Sequence, residues 1–335
     1  MKVLVTGSHG TLGTDLINLL REKASSPASR QSRVWTKPRG SPPARVGSEF
    51  SLEGRLPPES GLDSAKRVAS SDRRQATGEN LKVIDAPHEE LDVAYEDEVL
   101  HFILKCTPDV IINCAAFTNV DKCETESKMA YKVNALGPKN IAIAAKRCGA
   151  KVVQISTDFV FDGHSGRPYV EEDLPNPLSE YGKSKLEGER NIQNNSDMYL
   201  IVRTSWLFGR NGTNYVEKMI ELAKKNKELS IVNDEIGSPT YTVDLAEALW
   251  TLIEHKCEGI FHIANEGNCS RLEWAKRIFE IMDYNINIHP IDSSQYKRPA
   301  KVPLNSVLNC QKLTKVTGFR MRHWEEALSA YLKKQ

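Results

Sequence analysis

Hydrophobic and polar positions along this chain fall into two alternating rhythms. Four short apolar runs, at residues 2–6, 81–85, 109–116 and 151–156, are continuous rather than alternating and give way at once to glycine, acid or small residues. Runs of that length read as strands covered on both faces. Between them the spacing turns helical. Leu12, Leu16, Leu19 and Leu20 mark a helix over 11–23, an amphipathic helix covers 97–106, and a long one covers 130–148. Strands alternating with helices predict an α/β fold with a doubly wound parallel sheet and right-handed crossovers. Beyond about Val202 the pattern loosens into mixed short strands and helices and closes on a helix at 324–333. The expected organisation is a sheet domain over 1–200 and a smaller, interwoven mixed α/β region over 201–335 that closes over it.

One segment breaks the rhythm. Residues 25–79 are rich in Pro, Ser, Gly and Arg, carry doublets such as Pro42-Pro43 and Pro57-Pro58, and hold few apolar residues. Such a composition cannot offset chain entropy by burial, so it reads as a disordered insertion. Val34-Trp35-Thr36 alone has strand character, and Pro38 cuts it short. The insertion falls between a helix and the next strand. Ligands of an open α/β sheet bind at the carboxyl ends of the strands, so it enters at the opposite edge, where extra length costs little.

Composition narrows the partners. The 45 Lys+Arg and 44 Asp+Glu leave a net charge of +1, which offers no basic field to nucleic acid and no basic amphipathic segment to a membrane. No apolar run reaches the length of a membrane span or a signal peptide. The seven cysteines (Cys106, Cys114, Cys123, Cys148, Cys257, Cys269 and Cys310) form no C-x-x-C pair and are odd in number. They read as reduced thiols of a cytoplasmic protein. A small, closely bound substrate is the expected partner.

Chemistry gathers at the strand ends. Thr6-Gly7-Ser8-His9-Gly10-Thr11-Leu12-Gly13 lies between the first strand and the first helix. Gly7 and Gly10 permit a tight turn, Gly13 lets the helix pack closely, and the helix N-terminus offers N–H groups to a pyrophosphate, a Rossmann-type arrangement. Asp85, ending the second strand, is either a ribose-binding acid that disfavours a 2′-phosphate or a solvated strand-end acid. Asn113-Cys114-Ala115-Ala116 ends the third strand with small residues, which suits a flat ligand or plain packing. Tyr181 and Lys185 stand one helical turn apart on one face. The ammonium is expected to lower the phenol from its ordinary value of about 10, fitting it to protonate a carbonyl oxygen as hydride reaches the carbon. Thr157, in Ser156-Thr157-Asp158, brings a hydroxyl to the same sheet edge. The eight histidines are scattered without ligand spacing, with no H-E-x-x-H and no G-x-S-x-G, so no metal is expected.

With these residues in place, the chain resembles the short-chain dehydrogenase/reductase superfamily and, within it, the dTDP-4-dehydrorhamnose reductase family, over essentially all of its length outside 25–79. The marks are Ser156-Thr157-Asp158-Phe159-Val160-Phe161-Asp162-Gly163, Pro177-Leu178-Ser179-Glu180-Tyr181-Gly182-Lys183-Ser184-Lys185-Leu186-Glu187-Gly188-Glu189 and Arg203-Thr204-Ser205-Trp206-Leu207-Phe208-Gly209. Later landmarks are the block at 237–246 and Arg298-Pro299. The Trp206 and 237–246 blocks separate this family from sugar-nucleotide epimerases, which share the glycine loop and the Tyr/Lys pair. The resemblance implies Thr157, Tyr181 and Lys185 as catalytic residues. It implies cofactor contacts at Gly7, Gly10, Thr11, Leu12, Gly13, Asp92, Val93, Ala115, Ala116, Phe117 and Thr118, shared with Tyr181 and Lys185. It places Trp206 against a deoxysugar, with Val120 and Thr157 beside it. Phe159 stands where the family usually has tyrosine, and the 25–79 insertion is foreign to it.

The implied activity is NAD(P)H-dependent reduction of the C4 ketone of dTDP-4-dehydro-6-deoxy-L-mannose to dTDP-L-rhamnose. NADPH or NADH would serve as cofactor, Asp85 leaning towards NADH. The substrate would be a nucleotide sugar in the cytoplasm, with no nucleic-acid or membrane partner and a homodimer left open. Two alternatives stand beside it: a noncatalytic NADP-binding subunit similar to the regulatory β subunit of methionine adenosyltransferase, and a reductase or epimerase of another nucleotide sugar.

Overall fold

The structure is a computed structural model that describes residues 1–25 and 81–333. Residues 26–80, where the insertion and Val34-Trp35-Thr36 fall, lie outside the described residues. Strand β1 (Lys2–Thr6) leads through the glycine loop into α1 (Thr11–Ser25), followed by β2 (Lys82–Ala86), α2 (Glu96–Cys106) and β3 (Val110–Asn113). Next come α3 (Val120–Thr125), α4 (Ser127–Tyr131), a π-helical turn (Lys132–Leu136) and α5 (Gly137–Cys148). Then β4 (Lys151–Thr157), α6 (Glu180–Asn195) and β5 (Tyr199–Thr204) complete the first half. The second half holds β6 (Leu207–Phe208), α7 (Tyr215–Lys225), β7 (Glu228–Val232), β8 (Ile236–Gly237), β9 (Thr240–Tyr241) and α8 (Thr242–Glu254). It ends with β10 (Gly259–His262), β11 (Cys269–Ser270), α9 (Arg271–Ile281), β12 (Asn287–Ile291), α10 (Gln311–Thr317) and α11 (Trp324–Leu332).

Six strands form one parallel sheet in the order β10-β5-β4-β3-β1-β2. The winding reverses at β1, which has β2 on one flank and β3 on the other, and this opens a crevice at the carboxyl edge. Alternation along the strands sorts the core into two layers. Val3, Val5, Ile112, Val153, Leu200 and Val202 pack with Leu12, Leu16 and Leu20 of α1 and Leu245 and Leu249 of α8. Leu4, Ile111, Val152 and Ile201 pack on the other face with Val99, Ile103, Ile141 and Ile192 of α2, α5 and α6. The sheet is thus doubly wound, and through β5 and β10 it draws on both sides of residue 200. A separate core around Phe208, Tyr241, Trp274 and Tyr331 holds the rest of the second half.

Three boundaries differ from the sequence reading. Strand β3 stops at Asn113 rather than 116, because Ala115 turns its N–H onto the Asn113 side chain at 3.2 Å. The apolar look of 114–116 reflects small residues in a loop, not a ladder. The helix expected over 130–148 is broken by the π-helical turn. Pro138 has no N–H to give the Asn134 carbonyl, which favours the wider turn. Finally, β2 runs on to Ala86, so Asp85 lies inside the strand opposite Val5.

Candidate active site

Strand β4 and helix α6 bring the reactive groups together. The Ser179 hydroxyl caps α6 by accepting from the Gly182 N–H at 3.2 Å, which starts the helix just ahead of Tyr181. Gly182 lets that first turn lie on the chain after β4, since a Cβ there would fall 2.2 Å from the Phe159 carbonyl oxygen. The Thr157 hydroxyl ends β4, hydrogen-bonds the Tyr181 phenol and donates to Asp158 Oδ1 at 2.9 Å. The Phe159 ring stands edge-on to Tyr181 with centroids 5.7 Å apart. One turn along α6, Lys185 is only 5% exposed and its Nζ donates to the Ile155 carbonyl at 2.6 Å.

The electrostatics overturn one expectation. Burial pushes the Tyr181 phenol above its ordinary value; the Thr157 hydrogen bond opposes the rise and Asp158 adds to it. Lys185 does not depress it, because its ammonium is turned onto the strand carbonyl instead of the phenol. Lys185 itself is lowered to about 8, by burial first, with Glu189 and Cys114 pulling the other way. Burial pushes the neighbouring Cys114 thiol up to about 12. Asp158 is raised to about 6 by burial, opposed by hydrogen bonds from Ser306 (2.5 Å) and Thr157 and by the Arg271 charge. The phenol therefore keeps its proton at neutral pH, the form a proton donor needs.

Sequence reasoning missed the frame behind these groups. Thr6 donates to Asn113 Oδ1 at 2.6 Å, Asn113 Nδ2 to Gln154 Oε1 at 2.8 Å, and Gln154 Nε2 to the Ile155 carbonyl at 2.9 Å. This buried polar row crosses β1, β3 and β4 and ends on the oxygen that Lys185 holds. Asn134, in the π-helical turn, clamps the next loop: it accepts from the Phe117 N–H at 2.8 Å, donates to the Phe117 carbonyl at 3.0 Å and donates to the Ser184 hydroxyl at 3.1 Å. The available signal was a polar residue inside an apolar run, which survives burial only with partners.

The glycine turn after β1 meets the chain after β3 at close range. Gly7 has φ +61°, and a Cβ on it would stand 2.6 Å from the Ala115 nitrogen. A Cβ on Gly13 would stand 2.5 Å from the Gly7 carbonyl oxygen, so Gly13 lets α1 close on its own loop. The Ser8 hydroxyl is buried there with no hydrogen-bond partner. The first turn of α1 adds the N–H groups of Thr11, Leu12 and Gly13, which have no carbonyl four residues back in the helix. The Thr11 hydroxyl donates to the Asn211 carbonyl at 2.8 Å, tying a loop of the second half over this end of the helix. Asp92 accepts from the Ala94 N–H at 3.0 Å, and the Val93 carbonyl accepts from Asn140 at 3.0 Å, fixing that pair after β2. Ala115, which meets that turn, leads into Ala116, Phe117 and Thr118. Asp85 turns to Arg21 of α1 at 3.4 Å.

Trp206, just after β5, is one of five non-glycine residues with positive φ (+45°) among the described residues. Its ring stacks on Trp274 at 5.5 Å and lies under the Arg271 guanidinium at 3.5 Å. Gly237 makes room for it, since a Cβ there would meet the indole at 2.3 Å. Val120 opens α3, whose Asp121 accepts from Arg298 Nε at 3.1 Å and whose Glu124 accepts from the Glu180 N–H at 2.8 Å beside Tyr181. Among the described residues, no group of three or more His, Cys, Asp or Glu could hold a metal ion, and no helix is long and apolar enough to cross a membrane. All seven cysteines are free.

Residues 65–335 match the family described as RmlD substrate binding domain. The spore coat polysaccharide biosynthesis protein SpsK of Bacillus subtilis is 40% identical over 262 residues, covering 78% of this chain and 92% of its own length. The dTDP-4-dehydrorhamnose reductase of Sinorhizobium fredii is 38% identical over 259 residues, covering 74% of this chain and 88% of its own. The crystal structure of dTDP-4-dehydrorhamnose reductase from Bacillus anthracis in complex with NADP matches with a TM-score of 0.79 at 31% identity, covering 100% of this chain and 99% of that one.

Proposed function

This chain belongs to the RmlD substrate binding domain family, and from that membership we propose that it reduces the C4 ketone of dTDP-4-dehydro-6-deoxy-L-mannose to dTDP-L-rhamnose. The observation that carries this reading is the meeting of Thr157, Tyr181 and Lys185 beside the glycine cradle, in a chain 38% identical to a dTDP-4-dehydrorhamnose reductase.

A nicotinamide dinucleotide, when bound, would supply the hydride for C4. Gly7, Gly10 and the first turn of α1 would hold its pyrophosphate, with Asp92–Val93 and Ala115–Thr118 on either side. The NADP complex of the Bacillus anthracis relative supports NADPH; Asp85 accepts from Arg21 on Oδ2 at 3.4 Å and keeps Oδ1 buried without a partner. Thr157 orients the substrate carbonyl through its hydroxyl. Tyr181 gives its phenolic proton to the C4 oxygen, so the ketone leaves as an alcohol. Lys185, its ammonium seated on the Ile155 carbonyl, would hold the nicotinamide ribose. Trp206 and Val120 pack against the deoxysugar. We assign dinucleotide binding mainly to 1–200 and substrate binding mainly to 201–335, in a cytoplasmic enzyme whose mass in solution would reveal a homodimer.

Following NADPH and NADH oxidation with this substrate and a panel of other nucleotide-linked 4-keto sugars tests the reading. Turnover is expected with the dTDP sugar, and no oxidation with any of them overturns it. Tyr181→Phe is expected to keep dinucleotide affinity and cut turnover about a hundredfold or more. Unchanged turnover would remove Tyr181 from the role of acid.

A further inference from the structure

Glu189 and Arg203 form a buried ion pair that the reaction as described leaves without a part. Arg203 gives Nε and Nη2 to the two carboxylate oxygens at 3.0 and 2.7 Å, and each residue is 2% exposed. Arg203 stands on β5 opposite Ser156 of β4, whose hydroxyl also donates to Glu189. The last three residues of β4 are thus each held by α6: Thr157 by Tyr181, Ser156 by Glu189, and the Ile155 carbonyl by Lys185. The three helix residues are four apart and share one face. A buried pair of opposite charges is weak as a source of stability, because desolvation offsets its attraction. Its placement behind the site therefore calls for a different reason.

We infer that Glu189, held in place by Arg203, is a positioning residue for Lys185: its carboxylate keeps the lysine charged inside the fold and its ammonium seated on the Ile155 carbonyl. This rests on the reductase reading and deepens it. Lys185 is faced by Glu189 from α6, by the Cys114 thiol just after β3 and by the Ile155 carbonyl from β4; Arg203 on β5 lies behind Glu189, and Asp158 lies on the Tyr181 side of the helix. Burial works against the ammonium, and of the two groups that oppose burial Glu189 is the larger. With the thiol of Cys114 protonated at neutral pH, Glu189 is the charge that matters there. Without it, the lysine sheds its proton at lower pH.

The test is Glu189→Gln, read by 13Cε-lysine NMR of the dinucleotide-free protein, with the Lys185 signal identified by its loss in Lys185→Arg. The Lys185 midpoint is expected to fall by about one pH unit or more, and the alkaline limb of kcat/KM to move with it. The double variant Glu189→Gln/Arg203→Met strands neither charge; it is expected to fold and show a smaller shift in the same direction, because the Arg203 cation has gone as well. Ser156→Ala removes a hydrogen bond to Glu189 but no charge, and is expected to leave the midpoint in place. An unmoved midpoint in both glutamine variants, or an equal shift in Ser156→Ala, overturns the inference. An inactive wild type overturns the reductase reading instead, while the midpoint shift still reports the coupling between Glu189 and Lys185.

Discussion

A phenol buried beside Thr157 holds its proton at neutral pH, while the ammonium one turn away is committed to a strand carbonyl. The two groups therefore divide the work, the tyrosine as a retained acid and the lysine as a charge anchored to the strand behind it. Their spacing was legible in the sequence, because four residues on a helix fix a shared face. The direction of Lys185 Nζ was not, because the acceptor comes from β4 and a single-helix argument cannot see it. Gly182 shows how narrow the tolerance is. In Gly182→Ala the new methyl would meet the Phe159 carbonyl at 2.2 Å, and backbone must move to admit it. Such a shift carries Tyr181 away from Thr157, and misplacement near 1 Å can cost on the order of a hundredfold in rate. Turnover is expected to drop at least about tenfold with the far-ultraviolet circular dichroism retained; full activity would show that α6 has slack at this point.

Helices and strands here are bounded by what crosses between them. The pattern of apolar residues identified β1, α1 and the helix of Tyr181, since each is an uninterrupted rhythm with a glycine or a cap at its end. It overran β3, where alanines look like strand but pass beneath Gly7, and it missed the π-helical turn, which a one-residue wider turn barely disturbs in a periodicity. That turn matters because it aims Asn134 at both the Phe117 loop and Ser184 of α6. A Cβ on Gly188 would stand 2.2 Å from the Asn134 carbonyl, so α6 and the turn are packed backbone to backbone. Asn134→Ala is expected to lower stability by about 1–3 kcal/mol, through buried partners left unpaired. It should also weaken dinucleotide binding several-fold by releasing the loop of Phe117. Calorimetric titration with NADPH checks this, and wild-type affinity would mean that the loop holds without its clamp.

At the scale of the molecule, buried ionisable groups give stability a pH dependence of definite sign. His262 on β10 is lowered to about 3, by burial first and then by Arg203. An unfolded histidine takes its proton near pH 6.5, so between those values the unfolded state binds the extra proton and stability falls as pH drops, by about 1.4 kcal/mol per unit. Asp158, raised to about 6 by burial, works the other way: the folded state takes a proton that the unfolded state has released, which recovers stability as pH falls through 6. Comparing variants isolates the histidine. On going from pH 6.5 to 5, wild type is expected to lose about 2 kcal/mol more than His262→Leu in urea unfolding, and equal losses would refute the assignment.

The packing of α1 under α8 has a further consequence. Leu12, Leu16 and Leu20 sit in one core with Leu245 and Leu249, yet α8 begins at Thr242 and α1 ends at Ser25. At roughly 5–20 residues per second of synthesis, about ten to forty seconds pass before the first helix meets its cover. During that wait its apolar stripe has only the early strands to lean on, so the half-made chain carries a greasy edge that the finished protein hides.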